Sequence, residues 1–232
     1  MKRTLKPSVS RASCVKLYSR QLAQLGPLAQ LRAGKLPLRL LQLFVGLAFF
    51  GMSMAMMIRG NLGLSPWDAL HVGLAKLLPL SFGWIVVGVS FMVLLLWIPL
   101  REIPGLGTLA NAVVIGLVAD LTLQLLVAPE GFILRLLLTL GGVLLCGFGS
   151  ALYIGAQLGR GPRDGLMTGL HRVTGYSLRS MRTAIELSVL LVGTLLAGYK
   201  VLGIGTLLFA FGIGPLTQLM LPWVLVRLEE QV

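Results

Sequence analysis

The chain contains one stretch twice: Gly51-Met-Ser-Met-Ala-Met-Met-Ile-Arg-Gly-Asn-Leu-Gly-Leu-Ser-Pro-Trp-Asp-Ala-Leu70 and, 96 residues later, Gly147-Phe-Gly-Ser-Ala-Leu-Tyr-Ile-Gly-Ala-Gln-Leu-Gly-Arg-Gly-Pro-Arg-Asp-Gly-Leu166. A second match pairs Gly105-Leu-Gly-Thr-Leu109 with Gly203-Ile-Gly-Thr-Leu207 at an offset of 98, so the second copy holds two extra residues. Duplication inside an apolar chain is typical of transporter-like architectures, whose sites lie where the two halves meet.

The composition indicates an integral membrane protein. The 232 residues are 56% hydrophobic and only 12% charged, and the mean hydropathy is +0.89. A soluble domain carries roughly 25% charged residues. The chain is therefore too poor in charge and too rich in apolar residues for a soluble globular protein.

Positive charge is concentrated near the N-terminus, in a basic arm (residues 1–37) and at the start of the first span. Nine basic residues there precede the first acid, Asp68: Lys2, Arg3, Lys6, Arg11, Lys16, Arg20, Arg32, Lys35 and Arg39. Three interpretations are open: a cytoplasmic anchor on anionic lipid headgroups, an organellar targeting segment and a nucleic-acid-binding arm. We favour the anchor, without nucleic acid as a partner, because it needs nothing beyond the adjacent span.

Apolar residues recur at three- or four-residue spacing within the arm, from Val15 to Leu31. This spacing predicts an amphipathic helix on the membrane surface, interrupted at Gly26 and Pro27. A partly disordered tail is the alternative interpretation.

Six segments are apolar and close to the roughly 20 residues that a spanning helix needs. They are Leu38–Ile58, Phe82–Leu100, Leu106–Val127, Ile133–Ile154, Arg182–Tyr199 and Ile204–Val224. The fold class is therefore an all-α membrane protein with about six transmembrane helices, organised as repeat 1 (38–128), repeat 2 (129–226) and a C-terminal tail (227–232).

A short polar helix follows the first span of each repeat. Each has a small residue at its cap (Ser65 or Gly161), then Pro and, two residues later, Asp, which is the pattern of a helix N-terminus. At about 14 residues these helices are too short and polar to cross alone, so we expect them to lie at the interface or to re-enter the bilayer.

One repeat then holds three crossings, and an odd number predicts that the second copy enters the membrane inverted. The charges agree with this topology. With the N-terminus inside, the segment after Ser65 falls outside and carries only Lys76, whereas its counterpart falls inside and carries Arg160, Arg163, Arg172, Arg179 and Arg182. The positive-inside rule asks for this bias, and it predicts that both termini are cytoplasmic.

Gly63-Leu-Ser-Pro-Trp-Asp-Ala-Leu-His-Val-Gly-Leu74, with the Gly-x-Gly-Thr-Leu pattern, resembles the YczE branch of the bacterial YczE/YyaS/YitT membrane proteins over about residues 38 to 224. The resemblance implies a multi-pass bacterial inner-membrane protein, of a kind often described as a transporter. It supplies no established substrate or catalytic residue, so no role is carried over. Arg163 stands where the first copy has Trp67, which suits a cytoplasmic face and puts in doubt that both short helices do the same job.

The paired acids Asp68 and Asp164 are candidate site residues. One interpretation is helix capping, with each carboxylate against free N–H groups at the positive end of the helix dipole. The other is a cation or proton site, since broken helices in inverted repeats often point at the midplane. Glu186 in the fifth span is either an interfacial residue beside Arg182 or a coupling residue of a transport pathway.

Asp120 and Arg59 complete the candidate set. Asp120 lies toward the outer end of the third span, at the position that Gln218 takes in the sixth. Polar pairing between helices and lining of a pathway are both open for it. Arg59 ends the first span, where it either receives an anion or extends to the interface as a snorkelling side chain.

The pattern does not favour an enzyme. His71 and His171 belong to no metal-binding spacing, and Gly147-Phe-Gly-Ser150 is not the pattern of a nucleophile elbow. Cys14 and Cys146 are too few and too far apart for a disulfide framework or a metal site. We therefore predict no catalytic residue, no metal and no cofactor.

Two functional hypotheses remain. The first is a small transporter or permease for an unidentified small solute, with its site between the repeats. The second is a non-transporting accessory or scaffold protein of the membrane. Gly165-Leu-Met-Thr-Gly169 fits the small-xxx-small pattern of helix association, which leaves a homo-oligomer open.

Overall fold

The computed structural model describes residues 26–228. All regular elements in that part of the chain are helical: α1 (Pro27–Arg32), α2 (Leu36–Gly60), α3 (Pro66–Leu77), α4 (Phe82–Leu100), α5 (Leu106–Leu125), α6 (Phe132–Gly155), α7 (Pro162–Thr174), α8 (Leu178–Ala197), a 3-10 turn (Tyr199–Val201) and α9 (Ile204–Val224). Most of the predicted basic arm and the last four residues of the tail lie outside the described residues.

The six predicted spans are confirmed as helices long and apolar enough to cross a membrane: α2, α4, α5, α6, α8 and α9. The second and sixth have the predicted bounds, and the first, third and fourth differ by one or two residues at one or both ends. The fifth begins at Leu178 rather than Arg182, because the Ser177 hydroxyl accepts a hydrogen bond from the Ser180 N–H at 3.1 Å and caps the helix there.

The two short helices begin as the sequence predicts, with Pro66 and Pro162 as first residues. In α3 the Ser65 hydroxyl accepts a hydrogen bond from the Asp68 N–H at 3.1 Å. Gly161 offers α7 no side-chain cap. Each half of the chain is thus a long helix, a short helix and two long helices, in the same order.

The first helices of the two halves, α2 and α6, pack along each other at the centre of the molecule. Glycines allow this approach: a side chain on Gly46 would place its Cβ 2.7 Å from the Tyr153 backbone nitrogen, and one on Gly149 would meet the Gly46 carbonyl at 2.8 Å. Leu43, Leu47 and Met54 of α2 are buried in the core beside them.

Two arginines tie the ends of α2 and α6 together and show that these helices run antiparallel. Arg39, at the start of α2, donates to the carbonyls of Ala156 and Gln157 just after α6, both at 2.8 Å. Arg135, at the start of α6, donates to the carbonyls of Gly60 and Asn61 at the end of α2, both at 2.9 Å. All three residues of the second set lie 96 positions from those of the first.

The remaining helix contacts occur in matching pairs. Helix α5 packs on α2 as α9 packs on α6, and α3 packs on α8 as α7 packs on α4. Two cations show the same match: Lys76 of α3 donates to the Ala197 carbonyl at 2.5 Å, and Arg172 of α7 donates to the Leu100 carbonyl. One pair is unmatched, because α4 packs closely on α5 whereas α8 and α9 touch at most marginally.

The loops that precede the short helices join the halves through the Gly-x-Gly-Thr motifs. The Gly205 N–H donates to the Leu62 carbonyl at 2.8 Å, and the Gly107 N–H donates to the Leu158 carbonyl at 2.7 Å. Each motif of one half therefore holds the loop of the other half. The orientation of the halves relative to the bilayer stays a prediction.

Candidate functional site

A cavity of about 340 Å³ lies between the two halves. Its walls include Phe50 of α2, Ser90 of α4, Ile115 of α5 and Ile213 of α9, each near the middle of its helix. Side chains of both α8 and α9 also line it. The cavity therefore lies at mid-depth of the helix bundle and extends into the gap between α8 and α9.

The short helices meet at the cavity wall. The guanidinium carbon of Arg163 in α7 lies 4.6 Å from the ring centroid of Trp67 in α3, which is the geometry of a cation–π contact. These two residues hold the same position in the two copies, 96 residues apart. Because the two copies differ at this position, Arg163 of one half can stack on Trp67 of the other half where the halves face each other.

Two acids and a second cation complete the charged lining. Asp164, beside Arg163, accepts a hydrogen bond from the Tyr153 hydroxyl at 2.8 Å. Glu186 of α8 forms an ion pair with Arg182, one helical turn away, at 2.9 Å. Glu186 is partly exposed, and both it and its ion-pair partner Arg182 line the cavity.

Asp68 lies behind this wall and not on it. Its side chain is 3% exposed, that of His71 is 0% exposed, and Oδ1 of Asp68 lies 3.8 Å from Nδ1 of His71. Within residues 26–228, neither of these two atoms has a hydrogen-bond partner. Burial lowers the pKa of His71, which lies in α3 outside the six spans, so this imidazole is neutral at neutral pH.

Asp120 and Arg59 lie away from the cavity and hold helix ends. Asp120 accepts hydrogen bonds from the Ser81 hydroxyl and from the Gly83 N–H, the latter at 2.6 Å, and so caps α4 from α5. Arg59 donates to the Leu123 carbonyl in the last turn of α5. Of the predicted site residues, the structure thus brings Asp164 and Glu186 together on one cavity and places Asp68, Asp120 and Arg59 elsewhere.

Sequence reasoning did not identify Arg163 and Tyr153 as residues that line the cavity. It also did not identify Arg39 and Arg135 as residues that each link the two halves. The offset of 96 gives a signal for the arginines, because residues 39 and 135 are both Arg. No comparable signal marks Tyr153, whose counterpart is Met57. Among residues 26–228, no group of three or more His, Cys, Asp or Glu side chains is arranged to hold a metal ion.

Comparison with known proteins gives matches to a family model and to relatives that are themselves uncharacterized. Residues 37–222 match the model of a family of unknown function, DUF6198. An uncharacterized protein of Haemophilus influenzae is 40% identical over 179 residues, which cover 77% of this chain and 81% of that protein. The uncharacterized membrane protein YczE of Bacillus subtilis is 33% identical over 181 residues, with 77% and 83% covered.

A further relative, the uncharacterized protein YyaS of Bacillus subtilis, is 28% identical over 182 residues, with 77% of this chain and 90% of YyaS covered. No solved structure gives a significant match. With six apolar helices, these matches make the chain a multi-pass membrane protein. The chain belongs to the DUF6198 family and is related to YczE and YyaS, as the Leu-Ser-Pro-Trp-Asp stretch predicted.

Proposed function

We propose that the protein is a small transporter or permease and that the cavity between its halves is the solute site. The observation that carries this proposal is the unequal packing of matched helices: α4 is closed on α5, whereas α8 and α9 stand apart around the cavity. A chain of two similar halves can exchange these arrangements, so that the site opens first on one side and then on the other.

Two further features support this proposal. The antiparallel packing of α2 and α6 is what inverted halves require, and the Arg39 and Arg135 contacts give the exchange a central pair of helices to move about. The cavity lies between the halves and not inside one of them, which is where repeat-built transporters bind their solutes.

The closed pair α4–α5 indicates what a closed α8–α9 pair would look like. Asp120 of α5 caps α4 by accepting from Ser81. The counterparts are Gln218 of α9 and Ser177 of α8, and here the Ser177 hydroxyl bonds Ser180 of its own helix instead. In the second state Gln218 lies at the start of α8 and contacts Ser177, which closes the cavity on that side.

Cysteine labelling tests the two states. In a background without Cys14 and Cys146, Ser90→Cys on the cavity wall is probed with a small impermeant thiol reagent from each face of the membrane. A transporter gives labelling from both faces, because each state exposes Ser90 to one side. A second variant adds Ser177→Cys and Gln218→Cys, whose oxidation to a disulfide removes labelling from one face only.

The controls use matched pairs. Ser81→Cys with Asp120→Cys cross-links readily, since these side chains are already in contact, and Ser177→Cys with Leu219→Cys does not, because position 219 is on an outward face of α9 and exposed. If Ser90→Cys reacts from one face only and the 177–218 pair never forms a disulfide, the protein does not alternate. A non-transporting accessory or scaffold role then replaces the transporter.

A further inference from the structure

We infer that the cavity binds a small zwitterion with an apolar body, of the kind represented by an α-amino acid with an aliphatic side chain. This inference rests on the proposed function, whose site it specifies. The inference is based on Arg163 and Asp164, which are adjacent side chains of opposite charge that both line the cavity.

The charged groups on the cavity wall are balanced in number but unequal in pairing. Arg182 and Glu186 neutralise each other through their ion pair at 2.9 Å. Neither Arg163 nor Asp164 belongs to an ion pair within residues 26–228. The Arg163 guanidinium contacts the face of Trp67, and Asp164 accepts from the neutral Tyr153 hydroxyl. One cation and one anion are therefore left to meet a ligand.

The pairing of both wall charges with the ligand distinguishes the ligand classes. Charges held away from water are costly unless each has a partner of opposite sign. A simple anion would contact Arg163 but give Asp164 no partner, and a simple cation would do the reverse. A zwitterion supplies a carboxylate for the planar guanidinium and an ammonium for Asp164, and it adds no net charge to the bundle.

The rest of the wall accommodates an apolar body. Phe50, Ile115, Ile154 and Ile213 line the cavity beside the charged residues. A volume of about 340 Å³ is near the lower end of the roughly 300–1,000 Å³ of small-molecule sites. The site therefore suits a compact aliphatic zwitterion better than a large lipid or a nucleotide.

The test is ligand-induced thermal stabilisation of the purified full chain in detergent micelles. Four probes separate the contributions: leucine, 4-methylpentanoate (carboxylate only), 3-methylbutylamine (ammonium only) and glycine (no apolar body). Leucine raises the melting temperature in a saturable way, and each of the other three binds about tenfold more weakly or worse, because a built polar site rejects analogues that leave a partner unpaired.

Matched variants locate the effect. Arg163→Gln and Asp164→Asn each weaken leucine binding about tenfold or more, and the amide of the second can still accept from Tyr153. Arg163→Lys retains part of the binding, which guards against loss of folding as the cause. Arg160→Gln is the control, because Arg160 is exposed and bonds Thr168 instead of facing the cavity.

The inference is overturned if 4-methylpentanoate or 3-methylbutylamine binds as tightly as leucine, or if Arg163→Gln leaves leucine binding unchanged. It is also overturned if none of the four probes binds. In each case the labelling of Ser90→Cys from both faces still stands or falls by itself, so an error in the ligand class is separable from an error in the transporter assignment.

Discussion

Single residues hold the two halves together at backbone carbonyls. The Arg39 side chain is fully buried, and it donates to the carbonyls of Gln30, Ala156 and Gln157. Arg135 makes the matching two bonds to Gly60 and Asn61. An arginine suits this role because its rigid fork can reach two carbonyls at once and its charge strengthens both bonds.

Arg39→Ala lowers the free energy of unfolding by about 3 kcal/mol and Arg135→Ala by about 2 kcal/mol, since each loses charge-assisted hydrogen bonds worth roughly 1.5–3 kcal/mol. Arg39 loses more because it makes more bonds and is completely buried. The measurement is SDS titration in mixed micelles. Arg179→Ala, an exposed cation of α8, changes the unfolding free energy by less than about 0.5 kcal/mol. Equal values for all three variants would falsify the linking role.

Helices and their connections decide where the halves touch. Gly63 and Gly159 have φ angles of +115° and +132°, which L side chains rarely adopt. A Cβ at Gly63 would lie 2.8 Å from the Thr206 backbone nitrogen, and one at Gly159 would lie 3.0 Å from the Thr108 hydroxyl. The turn and the close approach both require glycine.

Gly63→Ala and Gly159→Ala each lower stability by about 1–3 kcal/mol, the usual range for a strained backbone position. Gly131→Ala separates the causes, because Gly131 has φ +87° but no atom within 4 Å of its Cβ position, so its loss is smaller. Gly214→Ala, helical with open space around it, is neutral or stabilising. Melting temperatures of the four variants must follow this order, and a Gly214 effect as large as that of Gly63 contradicts it.

The elements themselves could be predicted well, because their signals are local. Apolar runs give the spans, and Ser65-Pro66 and Gly161-Pro162 give the starts of the short helices. The site could be predicted only in part. The repeat made Asp164 a candidate, and it lines the cavity, but its bond to Tyr153 and the stacking of Arg163 on Trp67 depend on how distant helices pack. A local sequence pattern does not determine contacts between distant helices.

At the scale of the whole molecule, two copies of one motif set produce a bundle with matched contacts and one unmatched pair. The offset of 96 predicts which residues correspond, but it does not reveal that α8 and α9 lie apart whereas α4 and α5 are packed together. That difference depends on how distant helices pack, which a sequence offset does not specify, and it is the observation on which the transporter proposal rests.

Inverted topology makes a prediction for loop positions that correspond in the two halves. Leu80 and Tyr176 lie 96 residues apart, and both are exposed. Leu80→Cys reacts with an impermeant thiol reagent only from outside and Tyr176→Cys only from inside, as the positive-inside assignment requires. The measurement is labelling of intact cells against inverted vesicles in a Cys14- and Cys146-free background. Reaction of both positions from the same side shows that the repeats are parallel.

The hydrogen bonds between each Gly-x-Gly-Thr motif and the loop of the other half fix when these contacts can form during biosynthesis. The Leu62 carbonyl accepts from the Gly205 N–H, and Gly205 is synthesised 143 residues after Leu62. At about 5–20 residues per second of synthesis, the interval is roughly 7 to 29 s. During that time the Leu62 carbonyl lacks this partner, so the loop of the first half gains its final backbone contact only after most of the second half has been synthesised.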